Sequence, residues 1–518
     1  MASIKQFRRV KLSLADLLGG DFAEAAAAAR CALTGEESAK LRRLIREKVD
    51  FFPADFQRSL AAMLPKVGSR VVQPPAVSPR GAATFTFDAA AQLDAAPLSA
   101  LGCYRVGEDG ILRLVSKSEH YHAPLGHGFP GYRLIEHARR VGIPNATHNN
   151  TRGCITRMLE EELVRTANGL ARDDRAGLDR VLSARRKRVL NRVLNLETGS
   201  LAVEAGIKMM LARFYRIQPD SPEPRYAGRT PVILVLADDE RGLQANYHGT
   251  TIVAQVLRGM WPALGSELDR RGLLRVVGVR PDNTEELEAA FRTHDAGPSK
   301  IAGFLHEIVL MNYGGRLVSR RFLKRAYELC RKHDVPTLVD EIQTCLWNPR
   351  LYMFREYGLK PSFVVIGKGF PGGEYAASRI LFCREMDTLP QFGALVTNGQ
   401  EELASLAYMI TMRWAEENSD ITSAIGDRYQ ARLHELVGKY PNHLAAVEGN
   451  RHMASLHFHD LAAAKAFVKM LSGAGLDVSV QSYKASCPPG ALTKLPLIAD
   501  CEAVDMVIDL MEKALAQL

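Results

Sequence analysis

The chain has 518 residues, 47% hydrophobic and 24% charged, and its 67 basic against 58 acidic side chains leave a formal charge of +9. That composition is ordinary for a globular protein and excludes disordered, collagen-like and disulfide-scaffold chains, and the length suggests about three domains. The charge favours anionic ligands only mildly and does not argue for nucleic acid.

The N-terminus lacks the apolar run of a signal peptide. No stretch approaches the roughly 20 apolar residues that span a bilayer, so no membrane partner is expected. The eight cysteines are scattered without a CxxC pair, which argues against a structural zinc site and a disulfide framework. Reduced thiols in a cytoplasm are the simplest reading.

Residues 1–100 differ from the rest. Leu41, Leu44, Ile45 and Val49 recur at three- and four-residue spacing among charged residues, which predicts an amphipathic helix. Thr34-Gly35-Glu36-Glu37 supplies a start signal, Pro53 a break, and residues 54–64 a second helix. Pro65, Pro74, Pro75, Pro79 and Pro97 mark a linker or irregular wrap.

From Gly102 the pattern changes. Residues 104–106 and 111–114 flank Glu108-Asp109-Gly110, a hairpin signal. A helix is predicted over 155–167. Another is predicted over 178–194, where Leu182, Val189 and Val193 share a face, so the run Arg185-Arg186-Lys187-Arg188 reads as solvated charge rather than a nucleic-acid patch. Apolar runs at 231–237, 273–279, 301–311, 335–339, 362–366 and 379–383 read as buried strands. They alternate with helical patterns at 200–214, 250–259, 284–292 and 320–333. Such alternation predicts an α/β fold with a mostly parallel sheet covered on both faces. The tail from Leu444 reads as a smaller α+β unit, with strands at 453–459 and 476–482 and helices at 461–471 and 501–515.

Chemistry concentrates between Val335 and Gly373. One apolar strand ends at Asp340 and another just before Lys368, 28 residues on. In an open parallel sheet, ligands bind beyond the carboxyl ends of strands, so the acid and the lysine should share a crevice. Gly367, Gly369, Gly372 and Gly373 allow close backbone approach. A lysine against apolar walls has a depressed pKa and can form a Schiff base with an aldehyde. The blander readings are a helix cap for Asp340-Glu341 and a phosphate anchor for Lys368, although no GxxxxGK[ST] precedes it.

Asp340-Glu341-Ile342-Gln343-Thr344, then Phe354-Arg355-Glu356-Tyr357-Gly358-Leu359-Lys360-Pro361, then Gly367-Lys368-Gly369, resemble the class III aminotransferases that use pyridoxal 5'-phosphate. Leu125-Gly126-His127, Glu197-Thr198-Gly199-Ser200, Tyr247-His248-Gly249-Thr250, His306-Glu307 and Thr397-Asn398-Gly399 resemble further motifs of that family, in order. The resemblance implies a fold-type-I architecture: a large cofactor domain over 170–400, a small domain from 101–169 and 401–518, and the 1–100 extension outside it. It implies that Lys368 joins the cofactor and shuttles a proton, that Asp340 pairs with the ring nitrogen, and that Gln343 bonds the ring 3-oxygen. Gly199 and Ser200 would hold the phosphate at a helix start. Tyr247 would stack on the ring beside His248, and Thr397 would reach the neighbouring subunit's phosphate in a homodimer. The activity implied is amino transfer between an amine or amino-acid donor and a carbonyl acceptor. Racemisation, decarboxylation and intramolecular amine transfer remain open because one carbanion serves them all, as does a binding protein on an inherited fold.

The departures concern the substrate. Leu492 stands where many members carry an arginine that grips a carboxylate, leaving Lys494 as the nearby cation, and lysine offers a point charge rather than a fork. The resemblance pairs the Glu307 position with that arginine when the site is empty. The loop Cys345-Leu346-Trp347-Asn348-Pro349-Arg350 is one residue shorter than usual. Glu307 and Lys494 are thus candidate substrate contacts, as is Arg152 in the polar turn His148-Asn149-Asn150-Thr151-Arg152-Gly153, either an anion contact or a plain cap, and a standard keto-acid pair is not expected. Glu119-His120-Tyr121-His122 and His457-Phe458-His459 look metal-like but read better as wall or satisfied histidines, so no metal is expected.

Overall fold

The computed structural model describes residues 6–117, 122–146, 149–237, 245–482 and 487–518. At its centre is a sheet of seven strands: β1 (Leu190–Leu196), β2 (Thr230–Leu236), β3 (Arg275–Val279), β4 (Ser299–His306), β5 (Thr337–Asp340), β6 (Phe363–Ile366) and β7 (Ser378–Cys383). Their order is β1-β7-β6-β5-β4-β2-β3. Only β7 is reversed, running antiparallel to both β6 and β1. The strands from β2 to β6 pair in parallel.

Every residue of β4, β5, β6 and β7 is buried. Successive side chains go to opposite faces. Leu338, Phe363 and Val365 join one apolar cluster with Ala202, Val203, Ile207 and Met210 of the helix Gly199–Leu211. Val339, Val364 and Ile366 join the other, with Phe322 and Leu323 of the helix Arg320–Lys332. A sheet sandwiched in this way leaves its strand ends as the place where polar groups can converge.

The C-terminal unit is an antiparallel sheet of β8 (Leu444–Asn450), β9 (Met453–Phe458), β10 (Ser479–Gln481) and β11 (Gly490–Lys494), ordered β8-β9-β11-β10. Helices Leu461–Gly473 and Cys501–Leu515 accompany it. The hairpin expected around Asp109-Gly110 forms, Tyr104–Gly107 pairing with Leu112–Leu114, and Leu114 bridges to Leu476.

Two helices of the N-terminal segment, Ser38–Arg46 and Ala54–Met63, form near where the periodicity and Pro53 place them, but Val49 lies beyond the first, in a short strand paired with Lys11–Leu12. A third, the alanine-rich Gly20–Thr34, carries too weak an apolar period to be read from sequence. The segment packs on the body of the protein. Phe7, Phe52 and Phe129 surround Trp414 with ring centroids 5.4, 6.0 and 5.9 Å away. Residues 70–89 are mostly exposed, and a short helix, Phe85–Ala90, ends that stretch.

One prediction fails clearly. The helix expected over 178–194 stops at Ser183, and Leu190–Leu196 is strand β1. Arg188 adopts φ +59°, which no helix accommodates. The basic run is therefore a turn between helix and sheet, with Lys187 on Asp334 at 2.8 Å.

Candidate active site

The register of the sheet brings the reactive groups together. Val339 of β5 lies opposite His306 of β4, and Asp340 opposite Val365 of β6. Glu307 directly follows β4, Asp340 ends β5, and Lys368 stands two residues past β6. Three neighbouring parallel strands thus deliver two acids and an amine to one edge. From β1 the chain enters helix Gly199–Leu211 at that same edge, and Tyr247 and His248 follow β2. Together with Gln343 and Ser200 these groups line a cavity of about 530 Å³.

Asp340 is 5% exposed. One carboxylate oxygen accepts from the Ile342 N–H at 3.1 Å, and the other lies 3.1 Å from His248 Nδ1. Glu307 Oε2 accepts from the Met311 N–H at 3.2 Å. Burial, then the Asp340 charge, push its pKa well above the usual carboxylate range. Burial lowers the Lys368 pKa, and Glu307 and Asp340 offset part of that effect. Lys368 also holds φ +41°, in the left-handed region that side chains seldom occupy. Such strain is characteristic of functional sites.

The helix at the cavity floor begins with Thr198, whose hydroxyl accepts from the Leu201 N–H at 3.4 Å. A Cβ at Gly199 would stand 2.7 Å from Ile342 Cδ1. At Gly249, with φ +122°, it would stand 2.8 Å from Ser200 Cα. Both positions therefore require glycine for close packing of the cavity wall, which both residues line. Ser200 Oγ accepts from the Thr250 N–H at 3.0 Å. The Tyr247 ring is half-buried, with the Arg258 guanidinium 5.3 Å from its centroid.

The turn after β5 is pinned by Glu341, which is fully buried. It accepts from the Phe354 N–H at 2.6 Å, the Met353 N–H at 3.0 Å and the Thr344 hydroxyl at 2.5 Å. Gln343 then lines the cavity with a buried Oε1 that has no hydrogen-bond partner.

Gly199, Ser200, Tyr247, His248, Glu307, Asp340, Gln343 and Lys368 thus share one cavity. The other candidates lie elsewhere. Arg152 is paired with Glu160 and lines a different cavity. Thr397 is exposed, and the next residue's N–H donates to Glu197 at 3.2 Å. Lys494 is fully buried behind the cavity, donating to the Gln343 backbone carbonyl. Leu492 is likewise fully buried. Glu307 sits against Asp340 and His248, and no described arginine is its ion-pair partner.

His122 reaches the cavity wall, while residues 118–121 and His148 lie outside the described residues. His457 is satisfied by the Gly314 carbonyl at 2.8 Å. Tyr375 and Ser378 join the wall without a signal in the sequence. The Tyr375 hydroxyl accepts from Arg139 at 2.7 Å. Thr198 has a readable signal, a threonine immediately before a helical pattern.

His248, Glu307 and Asp340 offer atoms within 4.8 Å of one another, a spacing a metal ion can use. The adjoining amine of Lys368 disfavours a bare cation, whereas an aromatic cationic ring would pair with Asp340 alone.

The sequence model for class III aminotransferases matches residues 155–515. The chain belongs to that family. Its members use pyridoxal 5'-phosphate, and the residues present fit that group. The glycine-walled helix start suits a phosphate and the held carboxylate a ring nitrogen. The unpartnered Gln343 Oε1 leaves a polar group of the cavity wall free for a hydroxylated ring, and the buried amine of Lys368 suits an aldehyde. Among curated relatives, the 5-aminovalerate aminotransferase of Pseudomonas putida is 26% identical over 262 residues, 48% of this chain and 56% of that protein. An ornithine aminotransferase of Schizosaccharomyces pombe is 30% identical over 205 residues, 38% of this chain and 42% of that protein. These matches span about half the length of the curated relatives. The fold recurs in the ornithine aminotransferase of Plasmodium yoelii, with TM-score 0.63 and 15% identity over 89% of this chain and 99% of that one. It recurs also in the adenosylmethionine-8-amino-7-oxononanoate aminotransferase of Methanocaldococcus jannaschii, with TM-score 0.64, 17% identity and the same coverage.

Proposed function

We propose that the protein is a pyridoxal-phosphate-dependent aminotransferase that moves an amino group between an amine or amino-acid donor and a carbonyl acceptor. The observation that carries this reading is the convergence of Lys368 and Asp340 on one cavity whose floor is a helix start. When bound, pyridoxal phosphate supplies an aldehyde that condenses with amines and a ring that draws off electrons from the substrate carbon. The chain's own residues do the rest. Asp340, oriented by His248 and the Ile342 N–H, holds a proton on the ring nitrogen. Lys368, its pKa lowered by burial, would serve as the base that takes the proton from the substrate carbon and gives it back. Gln343 binds the ring oxygen through its amide. Gly199 and Ser200 hold the phosphate through backbone N–H groups and the helix dipole.

The named relatives act on 5-aminovalerate and ornithine, so donors carrying a terminal amine are the substrates to try first. Thr397, exposed beside Glu197, supports a homodimer in which it reaches a second copy's site. None of the eight cysteines forms a disulfide, which suits a reducing cytoplasm. No described helix is long and apolar enough to cross a membrane.

Purified protein loaded with cofactor should show a visible absorption band that bleaches on adding 5-aminovalerate or ornithine and returns with a keto acid. A band unmoved by every amine tried would contradict amino transfer. Release of CO2 with the amino group kept on the product, and a band that returns without a keto acid, would favour decarboxylation.

A further inference from the structure

Lys494 ends β11 and is fully buried. Its backbone is fixed from two sides, since it pairs with Met453 of β9 and its N–H donates to the Ser116 carbonyl at 2.7 Å. Its Nζ donates to the Gln343 carbonyl and stands 3.7 Å from the centroid of the Trp347 ring. The Trp347 Nε1–H donates in the opposite direction, to the Leu495 carbonyl at 2.9 Å. Two hydrogen bonds of opposite sense therefore tie the turn 343–347, which follows β5, to residues 494–495 of the C-terminal sheet.

This tie is costly. A buried amine loses its hydration, and a hydrogen bond and an aromatic face recover part of that loss. Its position gives the expense a use. The carbonyl it grips belongs to Gln343, whose side chain enters the cavity from the same residue with a buried, unpartnered oxygen. Small displacements of that carbonyl would swing the amide away from any ring lying between Asp340 and Lys368. Lys494 itself does not line the cavity, so it works from behind.

We infer that Lys494 is a positioning residue. It acts through Gln343 to hold the amide against the cofactor ring, and with Trp347 it couples the C-terminal sheet to that ring. This inference rests on the proposed cofactor reading.

The test uses full-length, cofactor-loaded protein and two readouts besides turnover: the pH midpoint of the visible band and the cofactor dissociation constant. Lys494→Met should move the midpoint and weaken cofactor binding roughly tenfold, the scale of one lost hydrogen bond. The double variant Lys494→Met/Gln343→Ala should match Gln343→Ala alone, because the two act in series. A folded Lys494→Met with the parent's midpoint and affinity would overturn the inference, as would additive effects in the double variant. If Lys494→Met does not fold, Trp347→Phe, which keeps a smaller aromatic face under the amine and removes the Leu495 bond, takes its place. A shifted midpoint with weaker cofactor binding then supports the inference, and the parent's values overturn it. Lys368→Ala separates the two levels. If that variant keeps the visible band, the cofactor reading itself fails; if it loses the band while Lys494→Met is silent, only the role of Lys494 fails.

Discussion

Glu341 provides a prediction whose size and sign follow from its surroundings. Its carboxyl is fully buried, and that burial raises its pKa from 4.5 to about 7 despite the two N–H groups and the hydroxyl that it accepts from. A carboxyl whose folded pKa lies above its unfolded one adds stability below the unfolded value. That stability is lost as pH rises through the folded value, because the folded state binds the extra proton. The window here runs from about 4.5 to about 7, and the difference corresponds to about 3 kcal/mol. Glu341→Gln cannot titrate, so its stability should lack this component of the slope. Urea unfolding of parent and variant at pH 5 and pH 8 measures it. Relative to the variant, the parent should lose about 2.5 kcal/mol between the two pH values. Equal slopes in the two proteins, or a parent that gains stability toward pH 8 relative to the variant, would refute the reasoning.

Two further substitutions test the frame around the site. Gly199→Val places a side chain 2.7 Å from Ile342 Cδ1, and overpacking of this kind costs about 1–3 kcal/mol. Cofactor affinity, read by titrating the cofactor-free protein, should fall roughly tenfold and recover in part with Ile342→Ala; an unchanged affinity would show that the helix start does not hold the phosphate. Glu402 is 4% exposed and accepts from the Ile155 and Thr156 N–H groups at 2.9 and 3.1 Å, capping the helix Cys154–Asn168. Glu402→Ala should lower unfolding free energy by about 2 kcal/mol in denaturant titration, and a loss below about 0.5 kcal/mol would show the cap to be replaceable by water.

The parts of this molecule that can be read from its sequence are those where burial is extreme. β4, β5 and β6 are continuous apolar runs because both faces are covered, and their ends carry Glu307, Asp340 and Lys368 by simple adjacency. β1 reads as helix because it is an edge strand of the sheet, half-buried along its middle. Its Leu-Asn-Arg-Val-Leu-Asn-Leu sequence lacks the period-two alternation that marks a strand. The helices Glu402–Glu417 and Ser419–Lys439 escape a sequence reading for different reasons. The first is buried nearly all round, so it has no polar face to set a period, and the second opens without a capping side chain. Lys494 can be read as a cation near the site, but its distance behind the Gln343 turn depends on how two sheets dock, and no local pattern encodes that. Arg152 is turned toward Glu160 of the helix that follows, a local pairing that the polar turn before that helix does not announce.

The most direct test of the central claim is to reduce the cofactor-loaded protein with borohydride and map the modified peptide by mass. The account predicts a single phosphopyridoxyl group on Lys368. Modification of a different lysine, Lys494 included, or none in protein that has bound the cofactor, would contradict it.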